Sequence, residues 1–170
     1  MMGYFVFKKN FEPLVIMRKK KKKYSFRRKH KQVKKTTKTV TFNGIQLKLL
    51  RYENMWVFPE IRTYMYGAGS PIEMSLLIYQ NENLNDYGTV TVNLPDCQRS
   101  AGCQFIDINN NMPYLLKWLI KNKFGELTGR YGKCGYCTYP EFNFYAGKTF
   151  RDYKTINDRI DEEYEKYDEE

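Results

Sequence analysis

The dipeptide Asn43-Gly44 sits between Val40-Thr41-Phe42 and Ile45-Gln46-Leu47-Lys48-Leu49, so apolar and polar residues alternate on both of its sides. Asn and Gly accept the positive φ angles of a two-residue type I′ turn, and a period of two marks a strand with one buried face. The segment is predicted to be an antiparallel hairpin. A lone hairpin is marginal in water, so its apolar side must be covered by further strands or a helix.

The next residues continue the period. Glu60 to Tyr66 alternates less cleanly, Gly67 to Pro71 is a turn cluster, and Ile72, Met74, Leu76 and Ile78 then share one face. Asn81 to Gly88 reads as a polar loop. Val90, Val92 and Leu94 alternate until Pro95 stops the strand, and Gln104, Ile106 and Ile108 mark a short one. Leu115, Leu116, Trp118, Leu119 and Ile120 give a broad helical face after Pro113, with Asn110 or Asn111 as the expected cap and Gly125 as the expected stop. A last strand is expected over Phe142 to Ala146, with Phe142 and Phe144 facing the core. The predicted fold class is α+β, an antiparallel β-meander covered by one main helix.

Charge divides the chain into three. Residues 1–38 carry 15 Lys plus Arg and one acid, Glu12; residues 39–150 carry 10 basic and 9 acidic residues; residues 151–170 carry 4 and 9. The basic segment holds an unbroken run from Lys19 to Lys23, and like charge this dense repels too strongly to fold alone, so a disordered arm is expected over residues 1–38. Residues 39–150 are the expected globular domain. In residues 151–170, Ile156, Ile160, Tyr164 and Tyr167 recur at helical spacing among acids, which predicts an amphipathic tail helix, expected to be solvated and frayed because short isolated helices are marginal. Its acids are candidates to pair with the arm.

The arm is the first candidate site. Lys19, Lys20, Lys21, Lys22, Lys23, Arg27, Arg28, Lys29 and Lys31 are the side chains that would neutralise phosphates, and Tyr24 and Phe26 between them would stack on unpaired bases. The competing reading is compositional. With 20 Lys against 9 Arg and only 3 Ala, the chain has the bias of an AT-rich genome, and a lysine run then needs no partner. Translation from Met17 is a further alternative, in which residues 1–16 are never made.

Several classes of function find little support. No apolar run reaches the length of a membrane span, and positive charge follows rather than precedes the short apolar stretches at the start, which argues against a signal peptide. A cytoplasmic protein is expected. The one histidine, His30, lies in the arm, so no preorganised general base is placed by the sequence, and no enzyme is expected. Asp107, Asn109, Asn110 and Asn111 are accounted for by capping and an Asx turn.

Four cysteines, Cys97, Cys103, Cys134 and Cys137, raise the question of zinc. Cys134 and Cys137 have the two-residue spacing of a zinc knuckle, but the first pair is wider; a redox-active pair would lack the flanking strand and helix of thioredoxin order, and free thiols are the default expectation. No metal and no cofactor is expected. Gly129, Gly132 and Gly135 recur every third residue around Arg130 and Lys133, and this segment is expected to be a loop. It lacks the residues of a phosphate-binding Walker loop, although successive N–H groups in such a loop can hold an anion. Alternatively, Arg130 pairs with a carboxylate or carbonyl of the protein itself. Arg130, Tyr131, Lys133 and Tyr136 form the second candidate site, a protein-interaction face, because aromatic and Arg side chains anchor interfaces.

The runs VTVNLP (90–95), FIDINN (105–110), the Met112-Pro113 helix start, TGRYG (128–132) and GYCTYPEF (135–142) resemble a family of small uncharacterised proteins of phages and conjugative elements of low-GC Gram-positive bacteria. The likeness covers about residues 72–146. It implies a mobile-element context but no mechanism, and the arm and the acidic tail lie outside it. Cys137 and Cys103 match the family pattern, Cys134 stands where the family usually has Ser, and Cys97 has no counterpart. Two functions from different classes follow as expectations. One is a non-enzymatic accessory protein that contacts nucleic acid nonspecifically through the arm. The other is a module that binds a host or element-encoded protein, such as a defence factor, through the Gly-rich face.

Overall fold

The computed structural model describes residues 37–168, with side chains described as far as Glu165. Strands β1 (Thr37–Phe42), β2 (Ile45–Tyr52), β3 (Met55–Thr63), β4 (Ile72–Gln80) and β5 (Asn83–Thr89) form one antiparallel sheet in chain order. A second antiparallel sheet takes the order β6-β7-β9-β8, from β6 (Thr91–Val92), β7 (Cys103–Ile106), β8 (Glu126–Cys134) and β9 (Cys137–Asn143). Helix α1 (Leu115–Lys121) lies between β7 and β8 in the chain, and α2 (Lys148–Asp168) follows β9. The class is α+β. The meander describes the first sheet, whereas the second reorders its strands.

The hairpin at Asn43-Gly44 forms as its chemistry requires. Phe42 pairs with Ile45, and Asn43 and Gly44 take φ angles of 47° and 80°. Thr37 and Lys38 belong to β1, so the sheet includes the last two residues that charge counting assigns to the arm, and the Lys38 ammonium lies 4.9 Å over the Tyr79 ring. Residues 81–88 are not a loop. Asn81 and Glu82, at φ 51° and 64°, make a second tight turn, and β5 follows as an edge strand. Its polar surface hides it from a hydrophobic-period reading, since only Leu84 and Tyr87 pack on the core.

Strand β3 begins at Met55 and contains Pro59, a residue that argues against an interior strand because it has no N–H for the ladder. The structure shows why it fits. β2 and β3 pair only from Leu50↔Val57 to Tyr52↔Met55 and then part, so Pro59 faces no neighbouring strand on that side. Helix α2 enters the gap. The Tyr153 hydroxyl donates to the Lys48 carbonyl of β2, and one turn later Asn157 Nδ2 donates to the Pro59 carbonyl of β3 at 3.1 Å. The acidic terminal helix is therefore not a solvated, frayed tail. It starts at Lys148, its first half buries Phe150, Tyr153 and Asn157, and Ile156 and Ile160 pack behind them.

A run of rings ties both helices to the sheet. Tyr52 meets Trp118 edge-on at 5.1 Å, Trp118 stacks on Phe124 at 5.3 Å, Phe124 stacks on Tyr153 at 5.9 Å, and Tyr153 meets Phe58 at 5.7 Å. Helix α1 is shorter than its apolar pattern suggests. Tyr114 occupies the cap position without a side-chain bond, Pro113 precedes it, and Ile120 is exposed. The asparagines serve elsewhere: Asp107 accepts the backbone N–H groups of Asn109 and Asn110, while Asn111 Nδ2 donates to Thr89 O and Asp107 O. The stop is Lys123 at φ 60°, where Lys123 N bonds Ile120 O and Phe124 N bonds Leu119 O, the Schellman pattern with Lys in place of Gly.

The strand expected over residues 90–94 contracts to Thr91–Val92, and Thr91 is buried because its hydroxyl accepts the Met74 N–H at 3.0 Å. The strand expected over Phe142–Ala146 is β9, displaced toward Cys137, while Phe142 and Phe144 are buried as their spacing predicts.

Candidate functional site

Residues 129–134 are not a loop but most of β8, the outer strand of the second sheet and one arm of a hairpin with β9. Glycine here serves one clear local need. Gly135 takes φ 56° at the first central position of the two-residue turn Gly135-Tyr136, the place where a type II′ turn requires a positive φ, and Cys134 pairs directly with Cys137 across it. The register between β8 and β9 slips between Leu127 and Tyr131. Thr128 and Arg130 lie within that irregular stretch.

Glu141 of β9 organises that stretch. It is fully buried, and its carboxylate accepts the Ser100 N–H at 2.7 Å, the Thr128 hydroxyl at 2.7 Å and the Ser100 hydroxyl at 3.3 Å. Burial alone would push this carboxyl up, but the bonds from Ser100 and Thr128 and the Arg130 charge together hold it below the usual carboxylate range. Arg130 is occupied within the molecule: its Nη1 donates to Ser100 Oγ at 2.8 Å, its Nη2 donates to Gln98 O at 3.2 Å, and its Nε lies 3.9 Å from Glu141. Arg99 fixes the same segment through Cys103 O at 3.1 Å and Gly69 O at 3.2 Å. Arg130 thus ties residues 98–100 to β8, and Arg99 ties them to the link between β3 and β4.

The outer part of the hairpin is different. Tyr131 is 65% exposed, Tyr136 at the tip is fully exposed, and Lys133 and Leu127 are also open to solvent. Tyr131 and Lys133 are two residues apart on one strand, so their side chains share a face. Of the four residues assigned to the interaction face, three are thus presented outward, and Arg130 serves the scaffold with part of its surface exposed.

The thiols separate into distinct environments. Cys103 is buried and its thiol contacts Ala101 O, with burial first and Glu141 second pushing its pKa up. Cys97 is half-buried and donates to Lys133 O at 3.4 Å, Cys134 is exposed, and Cys137 is half-buried. Among the described residues, no group of three or more His, Cys, Asp or Glu side chains is gathered to hold a metal ion. The four thiols therefore do not form one ligand set. Among the described residues, no helix is long and apolar enough to cross a membrane.

A cavity of about 360 Å³ lies where β2 and β3 part, with Phe42, Ile45, Phe58, Leu77 and Ile160 among its walls and Glu60 at its polar side. Burial pushes the Glu60 carboxyl up and outweighs Arg62, which donates to it at 2.7 Å; Asp161 and Asp86 add to the rise. Neither this cavity nor the Glu141 network follows from a sequence motif. The sequence hint for the network was an acid within the otherwise apolar Tyr139-Pro140-Glu141-Phe142. The arm residues Lys19, Lys20, Lys21, Lys22, Lys23, Tyr24, Phe26, Arg27, Arg28, Lys29 and Lys31, together with His30, lie outside the described residues.

Comparison with curated proteins and with solved structures gives no match. A family model does match, over residues 59–166, and its range includes β3 from Pro59, both helices and the whole second sheet, while β1, β2 and the basic segment fall outside. The chain belongs to the family described as domain of unknown function DUF4313.

Proposed function

We propose that the protein is a non-enzymatic binding protein that contacts nucleic acid through its basic N-terminal segment. The observation that carries this reading is the segregation of charge: 15 Lys plus Arg against one acid in residues 1–38, and near neutrality in residues 39–150. Such a segment gains affinity by releasing counterions from phosphates, with Tyr24 and Phe26 available for stacking. The accompanying context, an accessory protein of a phage or conjugative element acting in the cytoplasm, is part of the same proposal and is supported by the Lys-rich, Ala-poor composition. The test is fluorescence anisotropy of labelled single- and double-stranded DNA and RNA with the full chain and with a variant in which Lys19 to Lys23 are all Gln. The expected result is a loss of at least about tenfold in affinity, roughly 1.4 kcal/mol. Equal binding by both proteins would reject the reading.

A second reading rests on the outward side chains of the β8–β9 hairpin. Tyr131, Lys133 and Tyr136 form a protein-binding face, with Arg130 bracing it from beneath. Aromatic anchors of this kind dominate interfaces when truncated. Tyr131→Ala and Tyr136→Ala together are expected to abolish capture of a protein partner while leaving nucleic-acid affinity unchanged. Retention of the partner by the double variant would remove this reading.

A further inference from the structure

Cys134 and Cys137 occupy opposed positions in the β8–β9 ladder, separated only by the turn Gly135-Tyr136. Opposed residues in an antiparallel pair have Cα atoms about 4.5 or 5.5 Å apart and side chains on one face, and both separations fall within the span a disulfide bridges. A second observation agrees on the shared face. After burial, the influences that raise the pKa of the Tyr139 hydroxyl include both Cys137 and Cys134, so both thiols lie near that hydroxyl. Tyr139 is two residues from Cys137 along β9, as that face demands.

The other two thiols are set apart by their surroundings. Cys103 is buried, with its thiol disfavoured from ionising, and Cys97 directs its sulfur at the Lys133 carbonyl. Cys134 is exposed, so a small reagent in solution reaches it directly, and Cys137 waits across the turn. An accessible thiol with a neighbour in position to resolve it is the arrangement that thiol–disulfide exchange uses.

We propose that Cys134 and Cys137 form a reversible thiol–disulfide site that clasps the tip of the hairpin, with glutathione disulfide or a similar small disulfide as co-reactant. The Cys134 thiolate attacks one sulfur of the small disulfide, the S–S bond breaks, and one glutathione leaves as its thiolate. The Cys137 thiolate then attacks the Cys134 sulfur and displaces the second glutathione. Two cysteine thiols lose their protons and two electrons, and one glutathione disulfide becomes two glutathione thiols. The clasp closes beneath Tyr136 and beside Lys133, so it fixes the outermost residues of the hairpin. The site does not depend on the binding functions proposed above.

The sequence makes the test direct, because trypsin places Cys134 and Cys137 in one peptide, 134–148, and Cys97 and Cys103 in two others. The full-length protein is equilibrated with mixtures of reduced and oxidised glutathione, trapped by alkylation and mapped by mass spectrometry. Two of the four thiols are expected to vanish, both in peptide 134–148, whose mass falls by two hydrogen atoms, while Cys97 and Cys103 stay alkylated. Cys97→Ser is expected to behave identically, and Cys134→Ser to leave at most a mixed disulfide on Cys137. A Cys97–Cys134 crosslink, mixed disulfides alone, or four intact thiols in the most oxidising mixture would overturn the proposal. So would stoichiometric zinc in the purified protein that blocks alkylation until it is chelated.

Discussion

Two carboxylates in this protein are treated in opposite ways by their surroundings, and the difference is measurable. Glu141 accepts from Ser100 and Thr128 and faces Arg130, so its folded pKa is depressed and its stabilising contribution exists above the range in which an unfolded carboxylate titrates. That contribution is lost as pH falls through the folded value, which lies beneath the usual carboxylate range. Glu141→Ala is expected to cost about 2–3 kcal/mol at neutral pH, because it leaves the Ser100 N–H and Thr128 hydroxyl without partners. Glu141→Gln should flatten the acid limb of the Tm-against-pH curve, and a variant that keeps the wild-type slope on that limb would contradict the role given to this side chain. Glu60 has the reverse sign. Its pKa is raised by burial, so its ionised form opposes folding above the folded value, and Glu60→Gln is expected to raise Tm at pH 7. Of these residues the sequence marked only Arg130, and it left open whether that side chain served an anion or the protein. The ambiguity is physical, since the partner carboxylate lies 11 residues away along the chain and becomes a neighbour only through the β8–β9 pairing.

At the scale of elements, β2 and β3 part beyond Leu50↔Val57, and α2 reaches both strands there through Tyr153 and Asn157. Asn157 bonds Pro59 O at 3.1 Å and Tyr153 O at 2.8 Å from a buried position, so Asn157→Ala should cost about 1–3 kcal/mol, read as a lower urea midpoint with unchanged slope. A cost below a few tenths would mean that the helix does not cap the open strand. The exit of α1 crosses the link between β9 and α2 at a close approach of main chains. A Cβ on Gly125 would lie 2.1 Å from Asn143 O, and one on Gly147 would lie 1.9 Å from Phe124 O. Gly125→Ala and Gly147→Ala are each expected to lower stability by about 3 kcal/mol or more, since neither clash can be relieved by moving a side chain; Tm values within a few degrees of wild type would refute this. The sequence placed Gly125 at the end of the helix for the wrong reason. Its role is steric, and Lys123 supplies the left-handed turn. Elements with one clean apolar face, such as β2 and β4, were legible from their period. β5 and β8 were not, because both are edge strands whose polar or glycine-rich residues carry no alternation.

The whole molecule joins a nearly neutral α+β domain to a terminal segment that holds half of its basic residues. The family match covers residues 59–166 and leaves that segment outside. Architecture was legible because burial dictates period. The packing of α2 is not legible because its acids stand out in sequence, while the carbonyls it reaches, Lys48 O and Pro59 O, come together only in three dimensions. The measurement that bears most directly on the central claim is the salt dependence of nucleic-acid binding by the full chain. If the arm engages about six phosphates, the logarithm of the association constant falls with the logarithm of salt at a slope near −5 on double-stranded DNA. Neutralising Lys19 to Lys23 should reduce that slope by several units. A slope near zero, or one unaltered in the variant, would contradict the claim that this segment is a phosphate-binding device.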